Sequence, residues 1–243
     1  VHELQHLINA GRRIYVNDAD SFEEVWLNEG LSHIAEELLY YEESGNSPKS
    51  NINLARLQSS QAQLDAVNTY QIQNLARSLS YLEATELNSP YAQNDDLETR
   101  GAIWQLLRYS ADRTGGNEQN TWFNLVNATT AGQANFNNVF GGIVSLTRDW
   151  SVAQFADDMG FGVDAKYSNP SWNFRSILPA INNGVFPLLM HSLSAGPLSL
   201  SLSGGGVAYI RFQVNPGATA ALTATSSGQP LPAGVDVFVM RTR

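Results

Sequence analysis

The chain of 243 residues has no cysteine. Disulfides and thiolate metal sites are therefore excluded, and any bound metal must be held by histidine and carboxylate side chains. A cysteine-free chain rich in Asn, Ser, Gln and Gly is typical of an exported bacterial protein, although a cytosolic protein can have the same composition. We predict a secreted or cell-surface location.

Basic residues are also scarce, with 14 Lys and Arg against 23 Asp and Glu and a net charge of −9. Binding to phosphate backbones depends on clustered Lys and Arg, so a nucleic-acid partner is not expected. No stretch approaches the roughly 18 to 20 apolar residues of a membrane-spanning helix, which predicts no membrane insertion. The oligomeric state cannot be inferred from these features.

Helical periodicity dominates up to about Ile177, and period-two alternation follows Pro179. We therefore predict an α+β chain with a helical domain at 1–178 and a β-rich accessory domain at 179–243. Gly11 is expected to end the first helix, and Ser21 with Glu24 forms a capping box. We also expect a second helix at 22–41, helices around 64–82, 103–107 and 122–126, short helices at 136–146 and 152–159, and strands around 198–202, 208–212 and 235–239.

The segment His2-Glu3-Leu4-Gln5-His6 has the HExxH form. Residues four apart on a helix lie on one face, so both imidazoles converge on one point, and Glu3 lies at its edge. That geometry suits two metal ligands and a carboxylate that contacts a metal-bound water. The alternative is an ordinary helix turn.

Glu29 supplies the context for this motif, because its helix is apolar on more than one face. A buried carboxylate requires a cation, and Zn²⁺ held also by His2 and His6 would provide one. The alternative is that Glu29 faces solvent. Three protein ligands leave one tetrahedral position for water, so Glu3 is predicted to act as general base in amide hydrolysis.

HELQH followed by WLNEGLSH resembles the gluzincins, the thermolysin-like zinc metallopeptidases, and HELQHLIN is most similar to the hyicolysin-type bacterial extracellular members. The resemblance is strong over 1–40 and weaker through LETRGAIWQLLRYSAD, VFGGIVSLTRDW and NPSWNFRSI. It implies a helical catalytic subdomain, and for 179–243 we expect a small antiparallel β-sandwich-like domain. Gluzincins also have a substrate-binding sheet upstream of the motif, so the N-terminal part is expected to be missing here.

The resemblance also implies a downstream residue that stabilises the oxyanion, and Tyr91 is the best candidate. Tyr109 and Tyr81 are rivals, and any of the three can instead be core residues. The acid that often follows the third ligand by one turn is replaced by His33, whose role is open between outer partner, substrate pocket and buried histidine. Glu36 and Glu37 are interpreted as a solvated or outer pair, and His191 as structural.

The predicted function is a zinc-dependent metalloendopeptidase acting on protein or peptide substrates. A zinc aminopeptidase is the nearest enzymatic alternative. The alternative from a different class is a non-catalytic surface or binding protein that retains the peptidase fold.

Overall fold

A computed structural model describes residues 1–194 and 196–242. About half of the chain is helical, and the paired strands are few, so the mainly helical α+β class is confirmed. In the described residues the α-helices are α1 (His2–Gly11), α2 (Val25–Ser44), α3 (Leu54–Leu57), α4 (Gln61–Tyr70), α5 (Ile72–Leu82), α6 (Leu97–Arg113), α7 (Glu118–Val126), α8 (Gly132–Phe140), α9 (Ile143–Ala156) and α10 (Phe174–Ile181). A π-helical segment spans Arg12–Val16, a 3₁₀ turn spans Ala165–Tyr167, and the strands are β1 (Met190–Leu193) and β2 (Tyr209–Phe212).

The first helix does not end at Gly11. Its φ of −62° and ψ of −44° are helical, and the chain continues through the π-helical segment to Val16. The continuation is held by Arg13, whose buried guanidinium donates to the carbonyl of Thr130 and pairs with Glu23. A tertiary anchor thus overrides the helix-stopping tendency of glycine.

The predicted capping box at the start of α2 is also wrong, because the helix begins at Val25 and extends to Ser44. Glu24 has extended backbone angles, and its carboxylate accepts from the indole of Trp26 and the amide of Gln93. That carboxylate is engaged in tertiary contacts.

The core is built around α2 and α6, which pack against each other and are buried on several faces. The crossing of α5 and α6 is the most extensive helix contact. Its closeness depends on Gly101, because a Cβ there would overlap the backbone of Arg77. Burial of each large apolar side chain in this core contributes about 1.5–3 kcal/mol.

The predicted helices at 136–146 and 152–159 are divided differently. Gly141, with φ of +97°, ends α8, and the following residues start α9, which continues through 152 to Ala156. The positive φ of Gly141, with ψ of −123°, lies in a backbone region that is open to glycine but costly for other residues, and it does not continue the helix.

The antiparallel β-sandwich expected for 179–243 is not formed in the described residues. β1 and β2 pair in parallel, with Met190 opposite Tyr209, and a single antiparallel bridge joins Ser226 to Gln229. The alternating valines at 235, 237 and 239 are 40–64% exposed and do not form a strand. Alternation alone therefore does not produce a sheet here, because no partner strand covers the apolar side.

The C-terminal segment instead follows the helical part along residues 82–87. Backbone amides of Leu189, Ser203 and Val207 donate to carbonyls at 82, 86 and 85. The Tyr209 hydroxyl donates to the carbonyl of Ser151 in α9. In residues 1–194 and 196–242, no helix combines the length and apolar character needed to cross a bilayer.

Candidate metal centre

The histidines of α1 face a carboxylate on α2. His2 Nε2 lies 3.3 Å from Glu29 Oε2, and His6 Nε2 lies 3.3 Å from Glu29 Oε1. The two helices pack along each other, and a partly buried hydrogen bond of 2.8 Å from Asn9 Nδ2 to Asn28 Oδ1 joins them. Local spacing brings the two histidines together, and helix packing adds Glu29.

The separations of these atoms fit a zinc ion. Zinc–ligand bonds of about 2.0–2.1 Å in tetrahedral geometry place neighbouring ligand atoms about 3.3 Å apart. All three residues offer ligand atoms within 4.8 Å of one another. The side chains of His2, His6 and Glu29 retain 19%, 21% and 12% exposure, so the group is accessible from solvent.

The orientation of His6 is fixed by a hydroxyl. The Ser32 Oγ–H donates to the carbonyl of Asn28, so its oxygen is available to accept from His6 Nδ1, 3.1 Å away. This assigns the proton of a neutral His6 ring to Nδ1 and leaves the Nε2 lone pair directed at Glu29.

Glu36 fixes the ring of His2 in the same way. It accepts from His2 Nδ1 at 3.2 Å and from His33 Nδ1 at 3.0 Å. Burial lowers the pKa of His33, which keeps its ring neutral. Burial raises the pKa of Glu36, but the hydrogen bond from His33 and the electrostatic interactions with the basic side chains around it outweigh burial, so the pKa of Glu36 lies below its ordinary value. An ionised Glu36 is thus an acceptor for both rings.

When each ring is neutral and carries its proton on Nδ1, the Nε2 lone pairs of His2 and His6 face the two carboxylate oxygens of Glu29. Lone pairs that face each other this closely repel unless a cation lies between them. Two imidazoles and one carboxylate are the donor set of a three-ligand zinc site with an open fourth position. The residues present therefore fit a zinc ion.

Arg100, at the start of α6, is a site residue that the sequence reasoning missed. Its Nη1 lies 3.0 Å from Glu29 Oε2, while Nε and Nη2 form a bidentate pair with Asp95 at 2.8 and 2.7 Å. The contact with Glu29 is an ion pair without hydrogen-bond geometry, since Glu29 Oε2 accepts no hydrogen bond. Arg100 and Glu29 are far apart in the sequence, and only the packing of α6 on α2 reveals the contact.

Glu3 is exposed on α1, and its role as general base stays a prediction. The hydrogen bond from Arg100 to Asp95, followed by the charges of Glu29, Asp95 and Glu3, raises the pKa of Arg100. Glu3 is therefore electrostatically coupled to a residue that contacts Glu29.

The three tyrosines considered for the oxyanion role have different neighbours. Tyr91 is half-buried, with its ring edge-on to Trp26 and its hydroxyl beside Gly205, and burial raises its pKa. Tyr109 donates to the carbonyl of Lys166, and Tyr81 stacks on Trp150. Both rivals are buried core residues, and the oxyanion role of Tyr91 stays a prediction.

The contacts of His33, His191 and Glu37 indicate the role of each side chain. His33 is fully buried beside Glu36 and lies against the ring of His2, which favours the outer-partner interpretation. His191 pairs with Glu86 at 2.7 Å and ties β1 to the helical part, in line with a structural role. Glu37 is fully buried in the core, where it accepts hydrogen bonds from Tyr41 and Trp172, so its interpretation as part of a solvated or outer pair is wrong.

Comparison with known proteins adds no relative: no protein-family profile, curated protein or solved structure matches this chain.

Proposed function

We propose that the protein is a zinc-dependent metalloendopeptidase whose metal is held by His2, His6 and Glu29. The observation that carries the proposal is the approach of both Nε2 atoms to the Glu29 carboxylate at 3.3 Å, with both Nδ1 atoms engaged elsewhere. The helical part would then correspond to a gluzincin-like catalytic subdomain, as the sequence resemblance implies.

The side chains around the proposed metal site have different proposed roles in peptide-bond hydrolysis. Zinc in such a site supplies a Lewis acid and lowers the pKa of water towards about 7. Glu3 accepts the proton of the attacking water and later returns it to the leaving amine. Glu36 and Ser32 hold the two imidazoles in the required tautomer, and the Tyr91 hydroxyl would donate to the oxygen of the scissile carbonyl.

The proposed substrates are proteins or peptides outside the cell. The partial exposure of the three ligands leaves the site open to an extended chain. The cysteine-free composition agrees with an extracellular location.

The test is Glu3→Gln in the full-length protein. We expect zinc to remain near one ion per chain, because Glu3 is not a ligand, while cleavage of casein falls by at least about 100-fold. Glu43→Gln, at an exposed position on α2, is the control and should cleave normally. Undiminished casein cleavage by Glu3→Gln would show that Glu3 is not the general base.

One contact favours a second candidate, a non-catalytic binding protein that retains the peptidase fold. Arg100 already supplies a cation to Glu29, so the buried carboxylate has some compensation without a metal. Zinc content near zero in the full-length protein, purified without chelators, would support this function and contradict the peptidase.

A further inference from the structure

Two cations, the proposed zinc ion and the guanidinium of Arg100, would contact the same carboxylate oxygen, Glu29 Oε2. Glu29 Oε2 faces His2 Nε2 at 3.3 Å, where the metal is proposed, and Arg100 Nη1 at 3.0 Å. Its neighbour Oε1 faces His6. The guanidinium therefore acts directly on a proposed ligand atom.

Arg100 is held in this position from two sides. Asp95 binds its Nε and Nη2, which leaves Nη1 for Glu29. Behind it, Gly101 allows α6 to approach α5 closely, so the helix that carries Arg100 has little room to shift. Without a metal, this guanidinium offsets part of the cost of holding the nearly buried carboxylate of Glu29.

A divalent cation and a guanidinium that share one carboxylate repel each other, and they do so strongly at a partly desolvated site. We propose that Arg100 is a placeholder cation: it keeps Glu29 in position in the metal-free protein and weakens zinc binding, because its contact with Glu29 must loosen when the ion enters. This inference rests on the proposed zinc site. A purely positioning role for Arg100 predicts the opposite sign, since its loss would then weaken zinc binding.

The experiment measures zinc affinity by chelator competition and thermal stability with and without zinc. The proteins are the wild type, Arg100→Gln and Arg100→Met, with Arg100→Lys as the charge-retaining variant. Arg56→Gln is the control for loss of one positive charge, because Arg56 is exposed and pairs with Asn46, not with any residue of the metal group.

Arg100→Gln and Arg100→Met should bind zinc about tenfold more tightly than wild type and melt at a lower temperature when zinc-free. Arg100→Lys and Arg56→Gln should stay within about threefold of wild type. Unchanged or weaker zinc binding by both neutral variants overturns the placeholder role.

A second measurement needs no variant, and so it decides the question even if neutral substitutions prevent folding. Crystal structures of the wild type without and with zinc should show the Arg100 Nη1 to Glu29 Oε2 contact present in the first and lengthened in the second. A contact that is the same in both structures contradicts the inference. Wild-type protein that binds no zinc at all refutes the proposed function instead, so the two failures are distinguishable.

Discussion

Glu36 accepts hydrogen bonds from the imidazoles of His2 and His33, so its substitution should weaken zinc binding. In Glu36→Gln the amide can still accept from one ring, but it loses the charge that favours Nδ1 protonation of His2. We expect zinc affinity to fall by about 10- to 100-fold, the usual cost of losing an outer partner of a ligand histidine. Chelator competition measures the change.

Glu42→Gln is the matched control, since Glu42 is exposed on the same helix. Wild-type zinc affinity in Glu36→Gln would show that Glu36 does not orient His2. Thermal melting of the zinc-free variants separates this effect from general destabilisation.

Glu37 differs from its neighbour because it points into the core. It accepts from the Tyr41 hydroxyl at 3.0 Å and the Trp172 indole at 2.5 Å, and Arg108 Nη1 is 3.7 Å away. Desolvation raises the pKa of Glu37 from 4.5 to about 7. Between about pH 4.5 and 7 the folded protein keeps a proton on Glu37 that the unfolded chain has released, so the contribution of Glu37 to stability is lost as the pH rises through this range.

Glu37→Gln keeps an acceptor for both donors but cannot ionise, so its unfolding free energy should decline less across that pH range, by about 1–3 kcal/mol. Urea denaturation between pH 4.5 and 8 measures the slopes. Burial also raises the pKa of Asp157, to about 6, so part of the decline will persist in the variant. Identical slopes in variant and wild type would mean that Glu37 is ionised throughout.

At the scale of helices, the crossing of α5 and α6 decides where Arg100 lies. Gly101→Ala places a Cβ against the backbone of Arg77, which cannot move without separating the two helices. We expect the free energy of unfolding to fall by about 1–3 kcal/mol, the usual cost of overpacking. Urea denaturation provides the measurement.

Gly11→Ala is the matched control, because Gly11 is also helical and has open space around its Cβ position. This substitution should stabilise the protein by about 0.5–1 kcal/mol through helix propensity. Equal effects of the two substitutions would show that the close approach at Gly101 is not a constraint.

At the scale of the whole molecule, the C-terminal segment is bound to the helical part through a glycine turn. Gly205 has φ of +81°, and a Cβ there would overlap Ser89 Oγ and lie 2.8 Å from Tyr91 Oη. Gly205→Ala should release the turn, so that the amides of Leu189, Ser203 and Val207 lose protection from hydrogen exchange. Amides in α2 and α6 should stay protected.

Gly217→Ala separates backbone strain from contact. Gly217 has a similar φ of +78° but no atom near its Cβ position, so its substitution should leave the three amides protected. Unchanged exchange in Gly205→Ala would show that the close approach of Gly205 to Ser89 and Tyr91 is not what holds the C-terminal segment on the helical part.

The proposed metal ligands could be read from the sequence because their geometry is mostly local. His2 and His6 share a helix face by their spacing alone, and Glu29 stands out as a carboxylate on an apolar helix. The helical character of 1–178 is also determined by periodicity. Local patterns gave wrong predictions for a helix end at Gly11 and a capping box at Ser21. There, Arg13 and Glu24 make contacts with residues that are distant in the sequence.

Only the tertiary structure decided which charges surround the proposed ligands and how the C-terminal segment folds. The contact of Arg100 with Glu29 depends on the packing of α6 against α2, two helices that are distant in the sequence. The parallel pairing of β1 with β2 depends on the C-terminal segment being anchored at residues 82–87. Period-two alternation in the sequence indicates only that a segment is extended, and it does not identify the partner strand. Periodicity specifies the conformation of an element, but the free energy of contacts between distant elements selects their partners.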